Sequence, residues 1–305
     1  MTDLAYHGNG FIEATHKGVR VFVDPVFSET RRGRRSRAQT RPCDFLLVTQ
    51  VGDAFEDALD VLEDHEGATL VGSMDACRTA RRELRIERDR TLDLEDWERA
   101  SDGDVRITAI PITLPTPASA GLGWAQGVGD ALEAEVSRMF ARSPLAALPT
   151  RGLRALARSP FGRELGGPAV GEAALGFALE LGDAAVVLLG RGVHDATDER
   201  DLEDVADLGA IDTLVLEATG SVGAVVRAVR ILEPKRVCLY RAFDPYGRGR
   251  RALAMMGADM PLSAYVDAIS EDQGGRVEAR TLKPGDALAL RANGSAAKTE
   301  TAAKA

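Results

Sequence analysis

The chain has 305 residues, 45% of them hydrophobic, enough apolar material for one large packed domain and too much for global disorder. No run of eighteen apolar residues occurs, and the opening MTDLAYHGNG lacks the charged-then-apolar order of a secretory signal, so a cytoplasmic protein with no membrane span is expected. The net charge of −9 is uneven: residues 31–41 and 138–163 each carry six arginines and no acid, and taking those twelve from 38 basic residues leaves 26 against 47 acids, a body at −21.

Phe11-Ile12-Glu13-Ala14 and Val19-Arg20-Val21-Phe22-Val23, either side of a turn at 15–18, predict a β-hairpin that Asp24-Pro25 ends. Phe45 to Val48 is a short continuous apolar run, the pattern of a strand covered on both faces. Phe55, Ala58, Leu59 and Leu62 then recur at helical spacing, with Gly67 as a C-terminal stop. A strand over 68–72, a helix over 74–84 and a strand over 105–110 closed by Pro111 follow. Residues 112–170, rich in Pro, Gly and Ala, break this rhythm and read as a basic insertion with helices near 130–142 and 151–158.

Regularity returns with strands over 175–181 and 184–189 about a Gly182-Asp183 turn. A helix near 199–208, a strand over 211–217, a helix over 222–232 capped by Ser221 and a strand over 236–240 continue the alternation. Two short helices and a closing hairpin (276–282 with 287–290) complete it, and the small, polar residues 291–305 form a tail. Both halves open with antiparallel strands and continue as strand-then-helix. That arrangement predicts an α+β, layered α/β chain: a single four-layer αββα domain over residues 1–290. Cys43, Cys77 and Cys238 lie far apart in apolar surroundings and read as buried thiols, not a disulfide frame or a zinc knuckle.

Seven stretches occur in one telling order: YHGNGFIEATHKGVRVFVDP (6–25), DFLLVTQVGDAFEDA (44–58), VRITAIP (105–111), GFALELGDAAVVLLGRG (176–192), IDTLVLEATG (211–220), AVRILEPKRVCLYRAFD (228–244) and LKPGDALAL (282–290). Together they resemble the metallo-β-lactamase superfamily, and within it the small hydrolases related to ascorbate-phosphate lactonase. The resemblance implies an αββα sandwich. In an ordinary member it also implies one or two zinc ions held by a His-x-His-x-Asp-His motif and three further ligands, activating water for attack.

The ligand positions depart from that pattern. The histidine motif's place reads Gln50-Val51-Gly52-Asp53-Ala54-Phe55, in which Asp53 alone matches. The next histidine position meets 112–114, the bridging aspartate is Arg191, and the last histidine falls at or near Arg241. The expectation is therefore a non-catalytic binding or assembly protein, a pseudoenzyme with no zinc and no other cofactor. Arg191 and Arg241 pair there with Asp53, Asp24 or Asp244, or face a cleft with Gln50 and His194 and bind a small anion such as a phosphate ester.

Two other readings stay open. A metal-dependent hydrolase of phosphoester or lactone substrates would use Asp53, His194, Asp195 and Glu217, with Glu217 as a base; the plainer reading of Glu217 is an exposed acid at a strand end. A polyanion-binding module, for nucleic acid, would use Arg31, Arg32, Arg34, Arg35 and Arg37. The 112–170 insertion, with Arg interleaved among apolar residues, reads as a surface for self-association or a protein partner. No Gly-x-Ser-x-Gly elbow occurs, and the Gly-x-Gly runs at 121–123 and 127–129 lack the preceding strand of a dinucleotide site.

Overall fold

Three antiparallel strands start the chain: β1 (Thr2–Gly8), β2 (Phe11–His16) and β3 (Val19–Val23). The turn between β2 and β3 holds Lys17 at φ 48° and Gly18 at φ 95°, the pair of left-handed residues that matches the twist of a two-residue hairpin. The computed structural model describes residues 2–26, 42–51, 53–112, 174–195, 197–218, 221–241 and 260–290, with residues 53 and 54 described by their backbone alone.

Three parallel strands extend this sheet, β4 (Phe45–Leu47), β5 (Thr69–Gly72) and β6 (Thr91–Asp93), with helices α1 (Asp53–Asp64) and α2 (Met74–Leu84) as crossovers. The second sheet repeats the plan. Antiparallel β7 (Arg99–Asp102), β8 (Val105–Ile112), β9 (Ala174–Leu181) and β10 (Ala184–Gly190) lead into parallel β11 (Thr213–Glu217), β12 (Arg236–Tyr240) and β13 (Glu278–Thr281). Its helices are α3 (Glu199–Ala206), α4 (Val222–Leu232) and α5 (Leu262–Gln273). Strand β14 (Asp286–Ala289) returns to the first sheet beside β1, giving the orders β14-β1-β2-β3-β4-β5-β6 and β13-β12-β11-β10-β9-β8-β7.

Three apolar clusters separate the layers. Leu4, Ile12, Val21 and Leu47 of the first sheet meet Ile107, Phe177, Val186 and Val215 of the second. Phe55, Ala58, Leu59 and Leu62 of α1 cover the first sheet's outer face, and Val225, Ala228, Val229 and Leu232 of α4 cover that of the second. The αββα expectation holds, because each helix presents one apolar stripe and each central strand is apolar on both faces.

Some local expectations do not hold. Residues 276–282 and 287–290 form no hairpin: β13 pairs with β12 and β14 with β1, so the two strands close different sheets. Pro111 does not end β8, which continues to Ile112. Strand β7 stops opposite Thr108, so no strand lies on that side to miss proline's donor. Strands β1, β6 and β7 were not anticipated; β6 and β7 are short and polar, without the alternation that marks a strand. The insertion helices, the 31–41 segment and a second helix between β12 and α5 lie outside the described residues.

Candidate site at the shared strand edge

The parallel strands of both sheets end at one edge of the sandwich. The Leu175 amide at the start of β9 donates to the Thr49 carbonyl just past β4 (2.8 Å), tying the two sheets together there. Loops at the carboxyl ends of parallel strands are where α/β folds place ligands.

Asp24 follows β3 in a left-handed conformation (φ 44°). Its backbone N–H donates to the Leu47 carbonyl, and its carboxylate accepts from the Thr49 amide (2.9 Å) and the Thr49 hydroxyl (2.6 Å). Burial pushes this carboxyl up to about 6; the Thr49 hydrogen bonds oppose the rise, the charge of Glu217 adds to it and Arg191 pulls it back.

Across the gap, Arg191 follows Gly190 at the end of β10, and its Nε–H donates to Oε1 of Glu217 at 2.9 Å. Glu217 ends β11 and is 6% exposed, whereas the Arg191 side chain keeps 31% of its surface. Glu217 is therefore not the exposed strand-end acid that sequence suggested. The Glu217 charge holds the Arg191 guanidinium above even its ordinary high value, so the guanidinium stays charged at any physiological pH. Tyr240, directly opposite Glu217 in the ladder, has its ring 5.4 Å from that of Tyr6. Burial, then the charges of Glu217 and Asp24, push its hydroxyl well above the ordinary range, so it stays protonated.

Sequence comparison with protein-family models and with curated proteins gives no match. Comparison with solved structures gives many. The metallo hydrolase Igni18 of Ignicoccus hospitalis matches with TM-score 0.60 at 13% identity, over 94% of this chain and 97% of that one. The metallo-β-lactamase fold protein YhfI of Bacillus subtilis matches at TM-score 0.51 and 9% identity, over 94% and 98%. CmlA, a diiron β-hydroxylase of Streptomyces venezuelae, matches at TM-score 0.58 and 16% identity; this chain, 95% covered, spans 54% of its length.

This chain has the metallo-β-lactamase fold.

The described residues at the strand edge form no donor set of the kind that the metallo-β-lactamase fold implies. Zinc takes about four nitrogen, sulfur or carboxylate donors, and among the described residues no three His, Cys, Asp or Glu converge to hold an ion. All four histidines of the chain are described. His7 bonds Glu13, His16 bonds Thr2, and His65 follows α1. His194, 2% exposed, anchors its loop by its backbone N–H on the Thr197 hydroxyl. Asp195 accepts from the Ser221 amide and hydroxyl at the start of α4. What Glu217 holds there is a permanent cation on a side chain, near enough to Asp24 for its charge to act on that carboxyl.

The other expected site residues divide. Asp24 and Arg191 come together, with Glu217 and Tyr240, although no hydrogen bond joins Arg191 to Asp24. Arg241 donates to the Met260 carbonyl (3.3 Å) ahead of α5. Gln50 is half-buried, and its side-chain oxygen is buried with no hydrogen-bond partner. Asp53 opens α1, its side chain beyond description, and Asp244 and Arg31 to Arg37 lie outside the described residues. Tyr240 was missed in sequence, because an aromatic at the end of an apolar run reads as core.

Proposed function

We propose that this protein is a binding protein built on a metallo-hydrolase fold, whose strand-edge site works without a metal ion and is organised by Arg191. The observation that carries this reading is the 2.9 Å hydrogen bond from Arg191 Nε to the buried Glu217 carboxylate, with Asp24 close enough to feel both charges. A guanidinium cannot be titrated away near neutral pH, and it repels a divalent cation from the same carboxylates. The scattered histidines support the same reading, since none completes a donor set among the described residues. Hydrolysis by metal-activated water needs an open coordination position on a bound ion, and these side chains offer no set to hold one.

Elemental analysis of the purified full-length chain, paired with assays on phosphodiester and lactone substrates, tests this. Metal far below one ion per chain, with no turnover after zinc, iron or manganese is added, is expected. Stoichiometric metal, or metal-dependent turnover that Asp53→Ala abolishes, overturns the proposal in favour of a hydrolase.

A further inference from the structure

Arg191 and Tyr240 each have hydrogen-bonding capacity that the described residues leave unused. Among those residues Arg191 donates only through Nε, to Glu217, so none of them takes a hydrogen bond from its two terminal amino groups, and the side chain is partly exposed. The Tyr240 hydroxyl likewise has no hydrogen-bond partner among them, on a residue that is 5% exposed. The space beside it is kept by two glycines. A Cβ on Gly10 (φ 88°) would stand 3.8 Å from the Tyr240 ring, and one on Gly190 (φ 51°) would stand 3.9 Å from the hydroxyl. One glycine comes from each sheet, so the hydroxyl lies at the seam between them, beside the residue that precedes Arg191.

We propose that the terminal amino groups of Arg191 and the hydroxyl of Tyr240 form a binding site for one small oxyanion, a carboxylate or a phosphate or sulfate group, at the seam between Gly10 and Gly190. The proposal rests on the metal-free reading above and names the ligand class for the same site. The donors are of the right kind: an end-on guanidinium fork makes two parallel N–H bonds to an oxyanion, and a phenol held protonated adds a third. Glu217 does not compete, because it is committed to Nε and fixes the guanidinium plane.

Charge balance then sets the conditions for binding. With Asp24 and Glu217 ionised the cluster has two negative charges to one positive, and an anion makes the imbalance worse. The groups that face Asp24 are Thr49 from the loop after β4, Arg191 after β10, Glu217 on β11 and Tyr240 on β12, with Tyr6 of β1 behind Tyr240. Asp24 itself accepts a proton at mildly acid pH. Binding of the oxyanion is therefore coupled to proton uptake by Asp24.

The test titrates the full-length protein with sulfate and, separately, with acetate in chloride-free buffer. Binding is read by calorimetry and by the Arg191 Nε–H resonance between pH 5.5 and 8; both probes keep their charge over this range. Saturable binding that weakens as pH rises through about 6, by up to about tenfold per pH unit, is expected. Tyr240→Phe, which keeps the ring and its packing, should weaken binding by about tenfold or more. Asp24→Asn should bind and lose the pH dependence. The preference between sulfate and acetate tells a tetrahedral from a planar ligand group. No saturable binding, or a Tyr240→Phe protein that binds like the parent, overturns the proposal, as does pH dependence that survives Asp24→Asn. Metal analysis of the same samples separates the two failures: bound metal defeats the metal-free reading, whereas a metal-free protein that ignores both anions defeats this inference alone.

Discussion

Glu217 and Tyr240 stand directly opposite each other at the ends of β11 and β12, and that register puts both side chains on the face between the sheets. One is a carboxylate and the other a phenol, both nearly buried, where the preceding inward positions are Val215 and Cys238. The change from apolar to polar at the last inward position is what opens a site at the strand edge. Arg191 then meets the carboxylate from the neighbouring strand β10.

Replacing Arg191 with Met should cost about 3 kcal/mol of folding stability in urea denaturation at pH 7, because it leaves Glu217 buried without its cation. Adding Glu217→Gln to that variant should restore part of the loss, since a neutral amide needs no counter-charge. If the single variant is as stable as the parent, the pair does not organise the site.

Asp24 makes the stability of the chain depend on pH with the opposite sign to a salt-bridged carboxylate. Its folded-state value of about 6 lies above the ordinary 3.8, so the native state holds the proton more tightly than the unfolded chain does. The stability this contributes is complete below pH 3.8 and is lost as pH rises through 6. Asp24→Asn stays neutral throughout. Its stability relative to the parent should therefore rise between pH 4 and 6.5, by no more than about 3 kcal/mol, and level off above pH 7. Denaturation curves of both proteins across this range would show it; a flat difference would contradict the enclosed carboxylate.

Gly176 should not tolerate alanine. A Cβ there would lie 2.8 Å from the Leu188 carbonyl oxygen and 3.0 Å from Ile112 Cδ1, contacts that force the β9–β10 pair apart. A loss of about 1–3 kcal/mol is expected from such overpacking. Gly67→Ala is the control: nothing lies within 4 Å of its Cβ, and the change should stay within about 0.5 kcal/mol. Thermal unfolding of the two variants gives the comparison.

Arg90 should be worth about 2 kcal/mol to the first half of the chain. Its Nη2 donates to the carbonyls of Leu62 (2.6 Å) and His65 (2.8 Å), closing off the end of α1. Arg90→Ala should raise the hydrogen-exchange rate of amides in the last turn of α1 and leave those of α4 unchanged. Equal exchange in both helices would show that the guanidinium does not hold the helix end.

How much of this was legible in the sequence follows from the range of each interaction. Helix α1 was readable from Phe55, Ala58, Leu59 and Leu62, and β11 from its apolar run, because burial imprints a short period on neighbouring residues. The layered class followed from the alternation of such segments. The parting of β13 and β14 could not be read, because two short half-exposed strands carry no mark of which sheet each will join. The partner of Arg191 was equally hidden: sequence offers Asp24, Asp53 and Asp244, and leaves Glu217 as an exposed strand-end acid.

The sequence by itself determined most of the elements and their layering, since composition and period depend on residues close along the chain. Only the tertiary structure decided that Arg191 holds Glu217, that Arg241 turns to Met260 and that Tyr240 packs against Tyr6 opposite Glu217. Those contacts depend on strand register and on the approach of two sheets, long-range quantities that no local pattern encodes.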